Sequence, residues 1–378
     1  MAITYFCPLG ITIKQPTMIS TTIKKHNFSA GPAILPQSVF AEAARAVLNL
    51  NDSGLSILEI SHRSKDFDTV MAETEALVRE IGGIDDRYAV LFLTGGASTQ
   101  FFMAPMNFLR EGEKAAYVET GAWSTKAIKE AKLFGDIEIA ATSKERHFTF
   151  IPKDFDVPKD AAYLHLTSNN TIYGTQYHDF PETDVPLIAD MSSDMFSRPF
   201  DIDRFAMVYA GAQKNIGPAG VTLVLVRKDW MGRSGRSLPT MLNYNTHAEK
   251  GSRFNTPPVF PIYVLMLTLR WIKAHGGLGA INRRNAEKAK ILYDEIDANP
   301  CFKGTVSKED RSLMNACFLP SNPAFEAPFL EECTKAGIAG LKGHRSVGGF
   351  RASIYNAMEK ESVEALVEVI RAFAAKQG

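Results

Sequence analysis

The fold of this chain follows from one stretch of its sequence, MVYAGAQKN at residues 207–215. Its apolar first half is typical of a strand buried on both faces of a sheet, and Lys214 follows directly, ahead of a loop rich in glycine and proline. A lysine at such a strand end loses part of its hydration, which lowers its pKa and favours the neutral amine that attacks aldehydes. A solvated surface charge is the ordinary alternative, and position alone does not exclude it.

Apolar runs of the same kind recur along the chain and alternate with segments of helical periodicity. The predicted strands are residues 89–94, 115–119, 138–141, 161–166, 187–190, 206–209 and 221–226. The predicted helices in this part are residues 36–50, 66–81, 98–110 and 124–134. The alternation predicts an α/β fold, in which a mostly parallel seven-stranded sheet has helices on both faces. Ligands of such sheets gather outside the carboxyl ends of the strands.

The chain is predicted to divide into three segments. Residues 1–25 have only scattered apolar residues, and we interpret them as an extension outside the fold, with Met18 as an alternative start. Residues 26–275 contain the predicted sheet and form a large domain. Residues 276–378 mix short strands with an amphipathic helix at 360–376 and form a smaller α/β C-terminal domain.

The composition limits the kind of partner. The 378 residues include 42 Lys and Arg against 42 Asp and Glu, so no overall field favours nucleic acid or anionic membranes. The cysteines, Cys7, Cys301, Cys317 and Cys333, have neither metal-ligand nor disulfide-framework spacing. No apolar run approaches the roughly 20 residues of a membrane-spanning helix. We expect a cytoplasmic protein without a metal, whose partners are small molecules and a second copy of itself.

Asp190 ends the predicted strand 187–190, which precedes the strand that leads to Lys214. If the two strands are parallel neighbours, the carboxylate and the amine reach the same edge of the sheet. A carboxylate at that point can pair with a protonated pyridine nitrogen, which keeps the ring electron-poor. An aspartate that caps the next helix is the alternative, and neither residue is specific without the other.

The run TGGAST at residues 94–99 follows a predicted strand and opens a helix. Small residues let the backbone approach an anion, and the free N–H groups of the helix start supply donors, so a phosphate is the expected ligand. The pattern is weak alone, because glycine turns also begin helices that bind nothing, and the spacing of the dinucleotide fingerprint is absent. Trp123, at the end of the next strand, can stack on a flat ring or belong to the core.

Basic residues cluster at three places in this neutral sequence: His62 with Arg63, His344 with Arg345, and Arg351. The arginine fork matches a carboxylate or a phosphate through two hydrogen bonds, and histidine adds a pH-dependent donor. Surface salt bridges are the more ordinary explanation for any single cluster. The three clusters together favour an acidic substrate.

In this order the motifs resemble the phosphoserine aminotransferases, a branch of the class-V aminotransferases. The resemblance extends from about Asn27 to the C-terminus. It is carried by NFSAGPA at 27–33, SHR at 61–63, GGAS at 95–98, Asp190, QKN at 213–215, GPAG at 217–220, NTPP at 255–258, HR at 344–345 and Arg351. It implies fold type I of the pyridoxal-phosphate-dependent transferases, with pyridoxal 5'-phosphate bound to the domain of residues 26–275.

The resemblance also implies which residues hold the cofactor. Lys214 would hold it as a Schiff base, and Asp190 would contact the pyridine nitrogen. Trp123 would stack on the ring, and Thr171 would bond the ring hydroxyl. The cofactor phosphate would be held by five residues, the last two from the other subunit: Ala97, Ser98, Gln213, Asn255 and Thr256. A homodimer with shared active sites follows from this arrangement.

The implied reaction transfers the amino group of L-glutamate to 3-phosphohydroxypyruvate and gives O-phospho-L-serine and 2-oxoglutarate. Lys214 would move the proton, and Arg351 would bind the α-carboxylate of the substrate. The substrate phosphate would be bound by four residues, the last two from the partner subunit: His344, Arg345, His62 and Arg63. Use of 4-phosphohydroxythreonine, a substrate of pyridoxine biosynthesis, stays open. Ser98, where some relatives carry arginine, puts the affinity for the substrate phosphate in question.

Other functions stay open at this point. Another class-V enzyme, such as an alanine–glyoxylate aminotransferase, would leave the phosphate-binding cations without a role. A cysteine desulfurase needs a nucleophilic cysteine in a context that this chain lacks. A non-catalytic pyridoxal-phosphate carrier would keep Lys214 and Asp190 without needing Arg351, and a nucleic-acid-binding module finds no basic stripe.

Overall fold

A computed structural model describes residues 25–377 of the chain. The predicted extension at residues 1–25 and the alternative start at Met18 therefore lie outside the described residues, except for Lys25. No helix within residues 25–377 is long and apolar enough to cross a bilayer.

Nine α-helices lie within the described residues. They are α1 (Gln37–Leu48), α2 (Lys65–Gly82), α3 (Gly96–Phe108), α4 (Ala122–Ala131), α5 (Tyr244–Glu249), α6 (Val259–Ala274), α7 (Gly277–Ala298), α8 (Glu326–Lys335) and α9 (Lys360–Gln377). The ends of α2 show why the sequence pattern was informative. The Ser64 hydroxyl accepts the amide proton of Phe67 at 3.3 Å, and Gly83 ends the helix with a φ of 63°. The predicted helices 36–50, 66–81, 98–110, 124–134 and 360–376 are all confirmed, with bounds that differ by a few residues.

Fourteen strands are present in the same part of the chain. They are β1 (His26–Asn27), β2 (Tyr88–Leu93), β3 (Lys114–Glu119), β4 (Asp136–Thr142), β5 (Leu164–Thr167), β6 (Asn169–Asn170), β7 (Thr175–Gln176), β8 (Leu187–Asp190), β9 (Phe205–Gly211), β10 (Thr222–Arg227), β11 (Phe302–Gly304), β12 (Asn315–Pro320), β13 (Ile338–Ala339) and β14 (Phe350–Ser353). Seven of them form the main sheet, in the order β2-β10-β9-β8-β5-β3-β4. The predicted seven-stranded sheet is confirmed.

The main sheet is mostly parallel, with one strand that reverses. β9, β8, β5, β3 and β4 pair in parallel, whereas β10 runs antiparallel to both of its neighbours, β9 and β2. β9 and β10 therefore form a hairpin, and Lys214 lies in its connection. The hairpin is closed by Thr222, which pairs with Gly211, and by the amide of Ala212, which donates to the carbonyl of Val221 at 3.0 Å.

Helices cover both faces of the main sheet. Alternate residues of each strand point to opposite faces, so Val90 and Val208 join a core with α1, α2 and α6, while Leu91 and Tyr209 join a second core with α3 and α4. Burial on both sides explains why these strands read as continuous apolar runs rather than alternating ones.

A separate hydrophobic cluster forms in the C-terminal part of the chain. The antiparallel sheet β11-β12-β14 packs there with α7, α8 and α9, and rings such as Phe302 and Phe329 pack with centroids 4.7 Å apart. Phe28 and Ile34 belong to this cluster, and β1 pairs in parallel with β13. The division at residue 276 stays a prediction, and residues 26–34 pack with the C-terminal cluster although they precede the main sheet.

Lys288 of α7 is a buried lysine that contacts the backbone of the C-terminal cluster. Its side chain is fully buried, and its ammonium group donates to three carbonyl oxygens: Ile354 at 3.0 Å, Tyr355 at 2.7 Å and Met358 at 3.1 Å. These carbonyls lie in the segment that connects β14 to α9. Burial lowers the pKa of Lys288 to about 7.

We predict that Lys288→Met lowers the free energy of unfolding by about 1–3 kcal/mol, because three buried carbonyls lose their donor. The unfolded chain keeps the lysine proton up to the ordinary pKa of 10.5, whereas the folded chain releases it near 7. Stability from this group therefore increases as pH rises above about 7, so the deficit of the variant should grow between about pH 7 and pH 9.

Thermal unfolding at several pH values measures this difference, with Lys290→Met as the matched control. Lys290 lies on the exposed side of the same helix in an ion pair with Asp294, a type worth less than about 1 kcal/mol. Equal losses in the two variants would contradict the role of Lys288.

Candidate active site

A cavity of about 610 Å³ opens at the carboxyl ends of β5, β8 and β9. This is the edge at which parallel sheets bind ligands. Nine of the residues predicted from the sequence line the cavity: Ala97, Ser98, Trp123, Thr171, Asp190, Gln213, Lys214, His344 and Arg351.

Asp190 is held at the bottom of the cavity by the sheet. β8 and β9 are parallel neighbours, as predicted, and Asp190 pairs with Tyr209, five residues before Lys214. The carboxyl group is only 4% exposed, and its Oδ1 accepts the amide proton of Ser192 at 2.9 Å. Burial raises the pKa of Asp190, while the charge of Lys214 and the hydrogen bonds from Ser192 act in the opposite direction.

Lys214 meets the condition for a nucleophilic amine. Burial lowers its pKa, and the guanidinium group of Arg351 acts in the same direction. The carboxylates of Asp190 and Asp194 oppose this shift. Burial is the largest of these effects, so the cavity favours the neutral form of Lys214 relative to a solvated lysine.

The loop that carries Lys214 packs tightly against α6. A Cβ at Gly217 would lie 3.3 Å from the Cα of Leu265, and one at Gly220 would lie 3.0 Å from the ring of Pro261. Gly220 also has a φ of 115°, which other residues rarely adopt. Glycine at both positions therefore lets the loop approach the helix and fixes the position of Lys214.

Trp123 supplies a flat surface beside Lys214. The Nζ atom of Lys214 lies 5.7 Å from the centroid of the indole ring. The indole Nε1 donates to Oγ1 of Thr171 at 3.1 Å, which fixes the orientation of the ring. This arrangement offers an aromatic ring a stacking partner.

The glycine turn forms the start of α3, as predicted. Gly95 and Gly96 have φ values of 91° and 67°, and a Cβ at Gly95 would collide with the side chain of Thr99. The amides of Ala97 and Ser98 belong to the first turn of the helix, where N–H groups have no helical acceptor. An anion at this end of the cavity would meet these donors and the positive end of the helix dipole.

Arg351 closes the opposite side of the cavity. Its Nη1 donates to the carbonyl of Thr171 at 3.0 Å, and its buried Nε has no hydrogen-bond partner among the described residues. His344 lines the cavity next to it. Burial lowers the pKa of His344, and the nearby cations Arg351, Arg345 and Lys126 reinforce that effect.

The residues of the cavity fit pyridoxal phosphate, the cofactor implied by the sequence resemblance. A buried carboxylate, a stacking indole, a lysine with a lowered pKa and a helix start correspond to the pyridine nitrogen, ring, aldehyde and phosphate of that group. The Oγ1 atom of Thr167 and the Nε atom of Arg351 are buried without partners in residues 25–377, as expected for atoms that face a ligand.

The remaining predicted residues do not line this cavity in the single chain. His62 and Arg63 lie in the loop before α2, where Arg63 is exposed. Asn255 and Thr256 are exposed in the loop before α6. Arg345 is exposed beside His344. The partner subunit was predicted to supply the first two pairs, His62 with Arg63 and Asn255 with Thr256.

Several lining residues were missed by the sequence analysis. Thr167 ends β5 and Ser192 follows Asp190, so the rule that ligands meet strand ends was a sufficient signal for both. Asn169 follows the end of β5 by two residues, so the same signal applied to it, and its amide donates to Ser193 and Asn315.

The N-terminal motif at residues 27–33 contributed only to the family resemblance in the sequence. Three of its residues also line the cavity: Ala30, Gly31 and Pro32. The amide of Ala33 donates to the carbonyl of Gln213 at 2.8 Å. The segment before α1 thus reaches the loop that carries Lys214.

Known proteins match almost the whole described chain. The family model for class-V aminotransferases matches residues 25–366. The phosphoserine aminotransferase of Flavobacterium johnsoniae is 57% identical over 355 residues, which cover 94% of this chain and 100% of that protein.

Solved structures agree with the sequence comparison. The phosphoserine aminotransferase from Bacillus circulans subsp. alkalophilus superposes with a TM-score of 0.92 at 48% identity and covers 94% of this chain and 99% of that one. A structure that describes radiation damage of the Schiff base in phosphoserine aminotransferase gives a TM-score of 0.90 at 49% identity, with coverages of 92% and 98%. The fold prediction of a type I pyridoxal-phosphate-dependent transferase is confirmed.

The charges around Lys214 predict opposite effects of two substitutions in cofactor-free protein. Asp190→Asn removes a carboxylate that raises the pKa of Lys214, so that pKa should fall further. Arg351→Gln removes a cation that lowers it, so that pKa should rise. The pH dependence of acetic anhydride labelling at Lys214, followed by peptide mass spectrometry, measures both shifts. Exposed Lys290 in the same samples is the control, and shifts of equal sign would contradict the arrangement.

Proposed function

Because the chain belongs to the class-V aminotransferases, and within them to the phosphoserine aminotransferases, we propose that it is a phosphoserine transaminase of serine biosynthesis. The amino donor is L-glutamate and the acceptor is 3-phosphohydroxypyruvate, and the products are 2-oxoglutarate and O-phospho-L-serine. The observation that carries the proposal is the convergence of Lys214, Asp190 and Arg351 on one cavity. Transamination needs an amine, a ring partner and a carboxylate clamp in one place.

The cofactor of this family is pyridoxal phosphate, which when bound supplies an electron-poor ring that stabilises negative charge at the substrate Cα. Lys214 would hold it covalently through Nζ. Asp190 would place a carboxylate at the ring nitrogen, Trp123 would stack on the ring, and Thr171 would bond the ring hydroxyl. Ala97, Ser98 and Gln213 would hold the phosphate near the start of α3.

Lys214 also moves the proton in this proposal. Its Nζ lies 5.7 Å from the centroid of the indole ring that would stack on the cofactor, and burial favours the neutral amine that can accept a proton from the substrate Cα. The same nitrogen returns the proton when the second substrate is aminated.

Arg351 binds the α-carboxylate of both substrates. Its guanidinium group is held by the carbonyl of Thr171, and its Nε is buried without a protein partner. A carboxylate that accepts from this Nε removes the cost of an unsatisfied buried donor, so binding is favoured by more than charge alone.

The phosphate of the acceptor is bound by residues from two subunits. His344 and Arg345 come from the loop before β14, and His62 and Arg63 come from the loop before α2 of the partner subunit. The exposure of Arg63 and Arg345 in the single chain leaves both available for this role. A homodimer with shared sites would also bring Asn255 and Thr256 of the partner subunit to the cofactor phosphate, and both residues are exposed in the single chain.

The acceptor preference tests the proposal. With L-glutamate as donor, we expect kcat/KM for 3-phosphohydroxypyruvate to exceed that for hydroxypyruvate by at least about a hundredfold. Hydroxypyruvate has no phosphate, so the basic residues of the proposed phosphate site would have no anion to bind. Glyoxylate is tested as a further amino acceptor. 4-Phosphohydroxythreonine is tested as an amino donor, in the reverse direction of the reaction. Lys214→Ala should abolish turnover with every acceptor, and equal rates with and without the phosphate would refute the proposal.

A purified hybrid dimer tests whether the sites are shared. Lys214→Ala removes the amine, and Arg63→Ala should weaken phosphate binding at least about tenfold. If Arg63 acts across the interface, a hybrid of the two variants contains one site with both changes and one with neither, and about half of the native activity should return. If Arg63 acts within its own chain, both sites of the hybrid stay impaired, which would contradict the shared-site dimer.

A further inference from the structure

A second cavity, of about 630 Å³, is as large as the active-site cavity. Its walls come from residues 144–149 after β4, from β11 with the end of β12, and from the loop before β14. Among the described residues, its lining includes none of those assigned to the cofactor or the substrate. The proposed reaction therefore gives this cavity no role.

Positive charge dominates the lining of the second cavity. Lys144, His147 and Lys303 line it, and no acidic side chain of residues 25–377 does. Lys144 has one distant ionic contact, 4.0 Å from Glu119, whose two carboxylate oxygens already accept hydrogen bonds from threonine hydroxyls. Lys303 has no ion pair in the described part of the chain. An anion complements such a lining.

The rest of the lining is largely apolar. The rings of Phe148 and Tyr173 meet edge to face with centroids 4.9 Å apart, and Leu319 and Val347 lie on the other walls. His147 and Phe148 have φ values of 52° and 59°, a conformation that non-glycine residues rarely adopt and that clusters at ligand sites. A ligand with an apolar body and one anionic end matches both parts of the lining.

Two segments form a wall between the cavities. Thr171 faces the active site and Tyr173 faces the second cavity, while His344 faces the active site and Ser346 faces the second cavity. The hydroxyl of Ser346 bonds Nδ1 of His344 at 2.7 Å. A ligand that displaces Ser346 therefore breaks a contact that holds the His344 ring.

We propose that the second cavity binds a small carboxylate with an apolar or aromatic body, and that this ligand alters substrate-phosphate binding through Ser346 and His344. The binding part stands on the lining of the cavity. The regulatory part rests on the proposed function, because it assigns the substrate phosphate to His344.

Calorimetric titration of the holoenzyme with 3-phenylpropionate tests binding. This probe has no 2-oxo group and cannot act as an amino acceptor. We expect one site per chain, and the double variant Lys144→Gln/Lys303→Gln should weaken binding at least about tenfold, since two charge-assisted contacts are lost. Its kcat and KM without probe should equal those of the native protein. Lys132→Gln, at an exposed lysine outside the cavity, is the matched control and should bind the probe normally.

Val347→Trp, which fills the cavity, should also block the probe. Unchanged affinity in the double variant would overturn the site. Mutually exclusive binding of the probe and O-phospho-L-serine would also overturn it, because a probe Kd that rises without limit as the product is added would place the probe in the active site.

Coupling is tested by reciprocity. In cofactor-loaded Lys214→Ala protein, which cannot complete the amino transfer, the probe should change the Kd of O-phospho-L-serine several-fold, and the product should change the Kd of the probe by the same factor. If neither ligand changes the Kd of the other, the regulatory part of the proposal is overturned. The titration requires no turnover, so probe binding can be interpreted even if the proposed reaction is not observed. If the probe does not bind, the proposed reaction is unaffected.

Discussion

The structure depends on burying an amine and a carboxylate at the ends of two adjacent strands. β8 and β9 run in parallel, so Asp190 and the loop of Lys214 reach the same edge of the sheet. Burial of both groups disfavours their charged forms, and their mutual attraction only partly offsets this. The rest of the large sheet holds this edge in place, since strands buried on both faces have little freedom to shift.

The active site lies between the main sheet and the C-terminal cluster. Asp190 and Lys214 belong to the main sheet, whereas Arg351 and His344 come from β14 and the loop before it in the C-terminal cluster. One direct link between them is the hydrogen bond from Arg351 to the carbonyl of Thr171. The group proposed to bind the substrate carboxylate is thus carried by a different hydrophobic core from the group proposed to transfer the proton.

Much of this site was predictable because strand ends are readable from local patterns. Lys214, Asp190 and the turn at Gly95 and Gly96 each end or follow an apolar run, and each lines the cavity. The family resemblance added the roles that local patterns do not give, such as that of Arg351. The sequence does not show that Asn169 is held in the cavity wall by a hydrogen bond to Asn315, which is 146 residues away.

The sequence by itself determined the seven strands of the main sheet, five of the helices and the polar residues that follow the strands, because side-chain periodicity and turn chemistry act over a few neighbours. Only the tertiary structure decided that β10 reverses and places Lys214 in a hairpin connection, that residues 26–34 pack with the C-terminal cluster, and that two cavities share a wall. These features depend on pairing between segments far apart in the chain, and local patterns carry no information about such partners.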